Sequence, residues 1–327
     1  MTGYNQNFFA GFELPLPKLN ASQKKMRASI KSNPKKFELQ YTHFSIVQNK
    51  ARKFAFYAAT NIDGNTLNTL VKDRSDFIAE PLLAATDQTG NELYDFDAGN
   101  AVNDFDKGHI AKFQDPQWGD EAAIRKAADD TMRFPNCVPQ HQTLNRGAWK
   151  SLEDYIINKF TRKTGINGRK ISVFAGPLLL ESDPFYIDKI NGEAIQIPCH
   201  FWKVIVYPNR QNQMSAAGFL MSQKNILFKH GFVVDRKEAV RGTARPGVKI
   251  KKEFFTDFRS GEPYQVRIDF LEEVTGFSFG VKNLFQPYTK IEATELIYRR
   301  VEVPVKNIAA HSSKDRPLHF EFEGITL

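Results

Sequence analysis

Two stretches decide the fold. The short one is Asp106-Lys107-Gly108-His109. The longer one runs from Asn136 to Glu153 and reads Asn-Cys-Val-Pro-Gln-His-Gln-Thr-Leu-Asn-Arg-Gly-Ala-Trp-Lys-Ser-Leu-Glu. The first is typical of a short strand that ends at a turn, where glycine lets the backbone approach a phosphate closely. The second leads into a predicted helix over residues 146–160, in which apolar residues recur at helical spacing. In the second stretch, Asn145, Trp149 and Glu153 follow one another at intervals of four residues, which predicts that they share one helix face.

The residue types in these stretches suggest a specific chemistry. A side-chain amide such as Asn145 brings an oxygen but no charge, which suits a hard cation such as Mg²⁺ that keeps most of its waters. His109 can take a proton from water near neutral pH. With a phosphate as the remaining ligand, this set indicates phosphodiester hydrolysis. Taken singly, His109 is better explained as a hydrogen-bonded structural histidine and Asn145 as a helix N-cap, and the motifs together reverse that preference.

The composition describes a folded, basic chain. It has 327 residues, 41% of them hydrophobic and 13% aromatic, enough for a substantial core. Lys+Arg minus Asp+Glu is 45 − 37 = +8, which favours a polyanionic partner. Two cysteines, Cys137 and Cys199, are too few for a disulfide framework or a four-cysteine zinc site, and predict reduced, buried thiols.

The sequence shows no secretory signal and no apolar run long enough to span a membrane. We therefore expect no membrane partner and a protein that is cytoplasmic as synthesised, with export by a dedicated route left open.

The chain predicts an α+β fold, with a central, largely antiparallel β-sheet and packed helices; a ββα-metal element is what a family resemblance of its motifs implies. Residues 37–62 favour strands with a hairpin turn at 48–52, and 119–131 favour a helix. Further strands are expected at 171–178, 194–198, 201–207 and 215–221, and residues 264–272 look extended. Lys203 interrupts an otherwise apolar strand.

We predict a basic N-terminal arm (1–39), one domain (40–285) with a basic insertion at about 230–262, and a C-terminal extension (286–327). From residue 18 to residue 36 the arm has seven positive charges and no acid. This run is either a solvated, partly flexible segment or a segment that contacts nucleic acid.

Five motifs, in order, resemble those of the DNA/RNA non-specific endonucleases, members of the ββα-metal or His-Me finger superfamily. Asp106-Lys107-Gly108-His109 is similar to the family's Asp-Arg-Gly-His, and residues 136–153 to its Asn, Pro-Gln, Leu-Asn-x-x-x-Trp-x-x-Leu-Glu element. The other three are similar to later strand and closing motifs: Phe174-Ala175-Gly176-Pro177, Ile197-Pro198 with Phe201-Trp202-Lys203-Val204, and Leu271-Glu272 with Thr275-Gly276.

The resemblance implies a role for each matching residue. His109 would be the general base, Asn145 the one direct protein ligand of a Mg²⁺ ion for which Mn²⁺ can substitute, and Glu153 would act on the ion through a water. Arg74 would bind the phosphate and stabilise transition-state charge. Asp106 would brace the motif.

Two positions depart from the family pattern. Lys107 stands where arginine is usual, so a two-pronged contact becomes a point charge. Ile157 stands where some members have an arginine, so Arg146, Lys150 or the basic insertion would supply backbone contacts instead.

The implied activity is Mg²⁺-dependent, sequence-non-specific cleavage of DNA or RNA that leaves 5′-phosphate ends. The alternative function is a nucleic-acid-binding protein that kept the fold and lost catalysis. The extra segments 1–39, 230–262 and 286–327 could dock an inhibitor or activating partner, as in the effector of a defence or toxin system. The oligomeric state stays open, with a homodimer among the options.

Overall fold

The computed structural model describes residues 2–94, 105–161, 169–187, 193–234, 259–301, 319–323 and 325–327. Their strands, in chain order, are β1 (Lys18–Leu19), β2 (Glu38–Tyr41), β3 (Phe44–Asn49), β4 (Phe54–Asp63), β5 (Asp106–His109), β6 (Cys137–Gln140), β7 (Lys170–Leu178), β8 (Phe185–Ile187), β9 (Ala194–Gln196), β10 (His200–Pro208), β11 (Met214–Ser222), β12 (Pro263–Val266), β13 (Phe277–Ser278), β14 (Thr294–Glu295), β15 (Ile297–Val301) and β16 (His319–Glu323). Their α-helices are α1 (Ala21–Lys25), α2 (Glu121–Asp130), α3 (Gln142–Asn145), α4 (Ala148–Thr161), α5 (Lys224–Lys229) and α6 (Ile268–Thr275).

Eight of these strands form one antiparallel sheet in the order β14-β12-β11-β10-β7-β4-β3-β2. The central strands are buried almost throughout, which explains why their sequences are apolar runs rather than alternating ones. Large side chains such as Trp202, Phe174 and Phe219 are fully buried among them. The structure confirms the predicted α+β class and the strands predicted from residue 171 to residue 221.

The hairpin predicted around residues 48–52 is confirmed. Strands β3 and β4 pair antiparallel, and Lys53 begins the return with a φ of 61°. β4 then pairs with β7, which places the hairpin inside the sheet rather than at its edge.

A separate two-stranded unit carries the two quoted stretches. β5 and β6 pair antiparallel, with His109 opposite Cys137, and α3 and α4 follow β6 along the chain. This is a ββα arrangement, in which the strand that ends at His109 lies beside the segment that leads to the helices. Cys137 and Cys199 are both buried and free, as predicted.

Residues 264–272 differ from the prediction. Only Pro263–Val266 is a strand, and Ile268–Thr275 is helix α6. The buried residues Ile268, Leu271 and Val274 are three apart, so they line one helix face, and Gly276 ends the helix with a φ of 71°.

The N-terminal residues pack against the sheet instead of extending from it. Tyr4, Phe8 and Leu14 are buried, and backbone bonds tie the basic run to the β3–β4 hairpin, from Ala28 N to Gln48 O and from Lys50 N to Met26 O, each at 2.9 Å. Residues 4–14 thus contribute to the core and part of the basic run is fixed on the hairpin, while the alternative in which the 18–36 run contacts nucleic acid stays a prediction.

Most of the predicted basic insertion, residues 235–258, lies outside the described residues, as do 302–318 of the C-terminal extension. Within the described part of the chain, no helix is long and apolar enough to cross a membrane.

Candidate active site

A cavity of about 400 Å³ opens beside the ββα unit. All eight side chains predicted from the sequence as site residues lie in its wall, together with four that were not predicted. The eight are Arg74, Asp106, Lys107, His109, Asn145, Arg146, Lys150 and Glu153. The other four are Phe77, Lys112, Phe113 and Gln114.

The carboxylate of Asp106 holds the side chains of two residues, Asn145 and Arg146, by hydrogen bonds. It accepts from Asn145 Nδ2 at 3.0 Å, and from Arg146 Nε at 2.8 Å and Nη2 at 2.6 Å. The carboxylate raises the pKa of Arg146. Since an ionised carboxylate only accepts hydrogen bonds, it must face the NH₂ group of Asn145, which turns the amide oxygen the other way. No donor among the described residues reaches that oxygen.

The predicted shared helix face of Asn145, Trp149 and Glu153 is wrong. Asn145 is the last residue of α3, which His141 caps, and Glu153 belongs to the separate helix α4. The N-cap reading of Asn145 is also wrong, because its amide donates to Asp106. The break between the helices places Asn145 and Glu153 in one cavity, although they would be about 12 Å apart along a continuous helix axis.

Gly147 allows this close succession of two helices. A Cβ at this position would clash with the backbone carbonyl oxygen of Thr143. We expect Gly147→Ala to destabilise the protein by about 1–3 kcal/mol and to displace Asn145, because a backbone atom cannot yield as a flexible side chain would. Urea unfolding measures the loss. An unchanged midpoint would show that the junction has room the structure does not indicate.

Gly108 lies against the side chain of Gln140. The sequence suggested close approach to a phosphate, whereas a Cβ on Gly108 would meet the buried side chain of Gln140 on the paired strand. The glycine therefore accommodates Gln140 within the ββα unit.

His109 lies between two aromatic rings at the end of β5. Its ring centroid is 4.9 Å from that of Phe77 and 6.1 Å from that of Phe113. Its Nε2 atom is buried with no hydrogen-bond partner among the described residues. Burial lowers the pKa of His109 to about 3, and the positive charge of Arg74 acts in the same direction. The imidazole is therefore neutral, the form that can accept a proton.

Arg74 reaches the cavity from the extended segment after β4. Its guanidinium carbon lies 4.9 Å from the ring centroid of Phe113. Burial lowers the pKa of Arg74, and the charge of Glu153 opposes that effect. Within the described residues, Arg74 makes no ion pair and no hydrogen bond. Its donors are thus available to an anion in the cavity.

Glu153 is held from the sheet side by a buried lysine. Lys203 Nζ on β10 donates to Glu153 Oε1 at 2.9 Å, with side-chain exposures of 2% for Lys203 and 10% for Glu153. Lys203 also lies 5.4 Å from the ring centroid of Trp149. A third group, Asp115, is buried near this pair, and burial raises its pKa to about 6 against the opposing charges of Lys203 and Lys112. One oxygen of Glu153 is thus engaged and the other is not.

The remaining cations of the cavity have partners. Lys112 and Lys150 both pair with Asp154, and Lys107 Nζ donates to Asn91 Oδ1 at 2.7 Å. The predicted substrate contacts Lys107, Arg146 and Lys150 therefore lie in the cavity wall but are already engaged within the protein.

The donors available to a metal fit a hydrated hard cation. No group of three or more His, Cys, Asp or Glu in the described residues could hold an ion. Asn145 offers a neutral amide oxygen, and the second oxygen of Glu153 can accept from a water. Mg²⁺ fits this set, since it keeps several waters and takes few protein ligands beside a phosphate.

Sequence reasoning missed Lys112, Phe77, Phe113 and Gln114. Lys112, Phe113 and Gln114 follow His109 by three to five residues, so proximity in the chain was the available signal. Phe77 follows Arg74 in the same way.

Comparisons with known proteins give a consistent result. Residues 22–283 match the family model of the DNA/RNA non-specific endonucleases. An uncharacterised protein of Sinorhizobium fredii, y4fB, is 33% identical over 228 residues, which is 68% of this chain and 33% of that protein. Human mitochondrial endonuclease G is 31% identical over 123 residues, 36% of this chain and 38% of that protein.

Nuclease C1 of Cunninghamella echinulata is 27% identical over 197 residues, 58% of this chain and 72% of that protein. A solved structure of an EndoG/EndoGI complex aligns with a TM-score of 0.48 and 17% identity, covering 74% of this chain and 85% of that chain. The chain spans little more than a third of the length of the first relatives, y4fB and endonuclease G.

Proposed function

This chain belongs to the family of DNA/RNA non-specific endonucleases, and from that premise we propose that it is a hydrolytic nuclease that cuts phosphodiester bonds within DNA or RNA strands with the help of one divalent cation, Mg²⁺. The observation that supports this proposal best is the cavity itself. It combines an unpaired neutral imidazole (His109), an arginine with free donors (Arg74) and an amide oxygen turned away from its carboxylate partner (Asn145).

Each side chain has a task that follows from its surroundings. Arg74 binds the non-bridging oxygens of the scissile phosphate and stabilises the charge that grows on them. His109 takes a proton from the attacking water. Asp106 orients Asn145, and Lys203 fixes Glu153, so neither has to be ordered during the reaction.

Asn145 would hold the cation, with Glu153 accepting from a water around it. When bound, Mg²⁺ polarises the phosphate and neutralises charge on the leaving oxygen. Attack by water at phosphorus gives 5′-phosphate and 3′-hydroxyl ends when the 3′-oxygen leaves. Contacts to phosphate rather than to base edges give little sequence preference.

The proposal is tested with end-labelled DNA and RNA oligonucleotides incubated with the protein in Mg²⁺ and in EDTA. We expect fragments only in Mg²⁺, with Mn²⁺ also active, and 5′ ends that accept a new labelled phosphate only after phosphatase treatment. Binding without fragments would instead identify a catalytically silent nucleic-acid-binding protein. Fragments in EDTA would contradict the role of the cation.

The pH dependence of cleavage should differ between the free protein and the substrate complex. In the free protein, burial and Arg74 depress the pKa of His109. A phosphate bound to Arg74 cancels part of that positive charge, so it raises the pKa of His109. We therefore expect the acid limb of kcat to lie at higher pH than the acid limb of kcat/KM. Arg74→Gln should reduce this separation, and limbs that coincide in the wild type would contradict the assignment.

A further inference from the structure

The segment from Phe77 to Leu82 leads from the cavity to the basic N-terminal run. Phe77 lines the cavity beside His109, and Ile78 is fixed by backbone bonds to Met132 and Phe134, each at 3.0 Å. At the other end, Leu82 O accepts from Lys31 N at 2.9 Å. Five residues span about 18 Å at most. Lys31 of the basic run therefore lies within roughly 18 Å of the cavity residue Phe77, along the segment from Phe77 to Leu82.

Positive side chains lie beside the 77–82 segment and at its Leu82 end. Arg133 Nη1 donates to Ala79 O at 3.4 Å, midway along the segment. Lys31 follows at Leu82, and Lys36 O accepts from Ile30 N at 2.9 Å, which places Lys35 and Lys36 next to Lys31. The three lysines are exposed. None of the ion pairs among the described residues involves any of these four cations.

Acidic side chains are few along the 77–82 segment and the basic run, although Glu80 and Asp130 act on Tyr41 together with Arg133. The sequence has no Asp or Glu between Glu13 and Glu38. On the 77–82 segment the one carboxylate is Glu80, which is 4% exposed and accepts from Tyr41 Oη at 2.6 Å. Asp76 lies at the cavity end, before Arg133. The three exposed lysines beyond it therefore present positive charge that no ion pair among the described residues neutralises.

We infer that Arg133, Lys31, Lys35 and Lys36, here named the basic track, bind the sugar-phosphate backbone of a nucleic acid whose scissile phosphate occupies the cavity. This inference rests on the proposed function. A strand carries one phosphate per about 3.4 Å of duplex axis, and its phosphates lie farther apart in an extended single strand, so 18 Å corresponds to roughly five phosphates at most. Such contacts position the strand and carry no sequence information.

The basic track makes binding depend on substrate length, and that dependence is the test. Lys31→Gln/Lys36→Gln is compared with the control Lys282→Gln/Lys290→Gln, two exposed lysines on the segment that packs beside β11, across the sheet from β2. The backbone atoms of Lys31 and Lys36 make their hydrogen bonds, so both substitutions leave the fold intact. Binding is measured in a His109→Ala background, on a single strand of about 24 nucleotides and on a tetranucleotide.

For the long strand we expect the track variant to raise Kd roughly fivefold to tenfold and to reduce the slope of log K against log salt by about 1.4, or 0.7 for each lost phosphate contact. Tetranucleotide binding and the control variant should stay at the parent values. An equal loss in the control, an equal loss on the tetranucleotide, or an unchanged salt slope would overturn the inference.

This design distinguishes a failure of the nuclease proposal from a failure of the basic-track inference. Binding to the His109→Ala protein does not require cleavage, so a wild-type protein that never cuts would refute the nuclease while the track is still measured. Cleavage by the wild type with parent-like binding by the track variant would refute the track alone. In that case the basic surface would fit an acidic protein better than a nucleic acid.

Discussion

His109→Ala is expected to reduce kcat by about 10²- to 10⁴-fold, because it removes the only imidazole among the described residues that line the cavity, and with it the proposed general base. Substrate affinity should change little, since Arg74 and the basic track remain. Stability should fall, because the substitution removes an imidazole packed between the rings of Phe77 and Phe113, although Nε2 has no hydrogen-bond partner among the described residues. Single-turnover cleavage of a labelled strand measures the effect.

His230→Ala is the matched control for this variant. His230 is exposed and does not line the cavity, so its removal should leave kcat at the wild-type value. A His109→Ala protein that binds and cuts as fast as the control would eliminate His109 as the base.

Lys203→Met is expected to destabilise the protein by about 3–5 kcal/mol, because it leaves the Glu153 carboxylate buried without its counter-charge. The loss of Lys203 also removes a charge that lowers the pKa of Asp115. Asp115 would then favour its protonated form more strongly, so the destabilisation should be larger at pH 8 than at pH 5. Urea unfolding at the two pH values measures it.

Two further variants separate a buried-charge effect from general damage. Lys203→Met/Glu153→Gln removes both charges and should recover part of the lost stability. Arg125→Met breaks an exposed pair with Glu121, at exposures of 61% and 66%, and should cost about 0.5 kcal/mol or less. If Lys203→Met costs no more than Arg125→Met, the Lys203–Glu153 pair has little importance for the fold.

The sequence was sufficient where a signal is local. Strands β3 and β4 are apolar and flank a polar turn, and both were predicted with their pairing. Seven of the eight site residues lie in the two quoted stretches and Arg74 was assigned by resemblance to the family; all eight line one cavity. Their chemical roles remain predictions.

Local spacing failed where a single residue changes the backbone path. Asn145, Trp149 and Glu153 have helical spacing, but Gly147 separates two helices between Asn145 and Trp149. Helix α6 was missed because it is only eight residues long and begins two residues after the β-rich residues 263–266.

Partners that are distant in the chain could not be predicted. Lys203 was visible as a charge in an apolar strand, but its partner Glu153 is 50 residues away. The pair depends on the packing of α4 against the sheet. The same holds for Arg133 and the basic run, which are brought to one surface by the 77–82 segment.

The central claim, that this cavity cuts phosphodiester bonds within a strand, is tested most directly with closed circular plasmid and circular single-stranded DNA. A circle has no end for an exonuclease, so any linear product requires internal cleavage. The account predicts nicked and then linear plasmid, and linear single strands, in Mg²⁺ and none in EDTA. Circles that stay intact in Mg²⁺ while the protein is bound to them would contradict it.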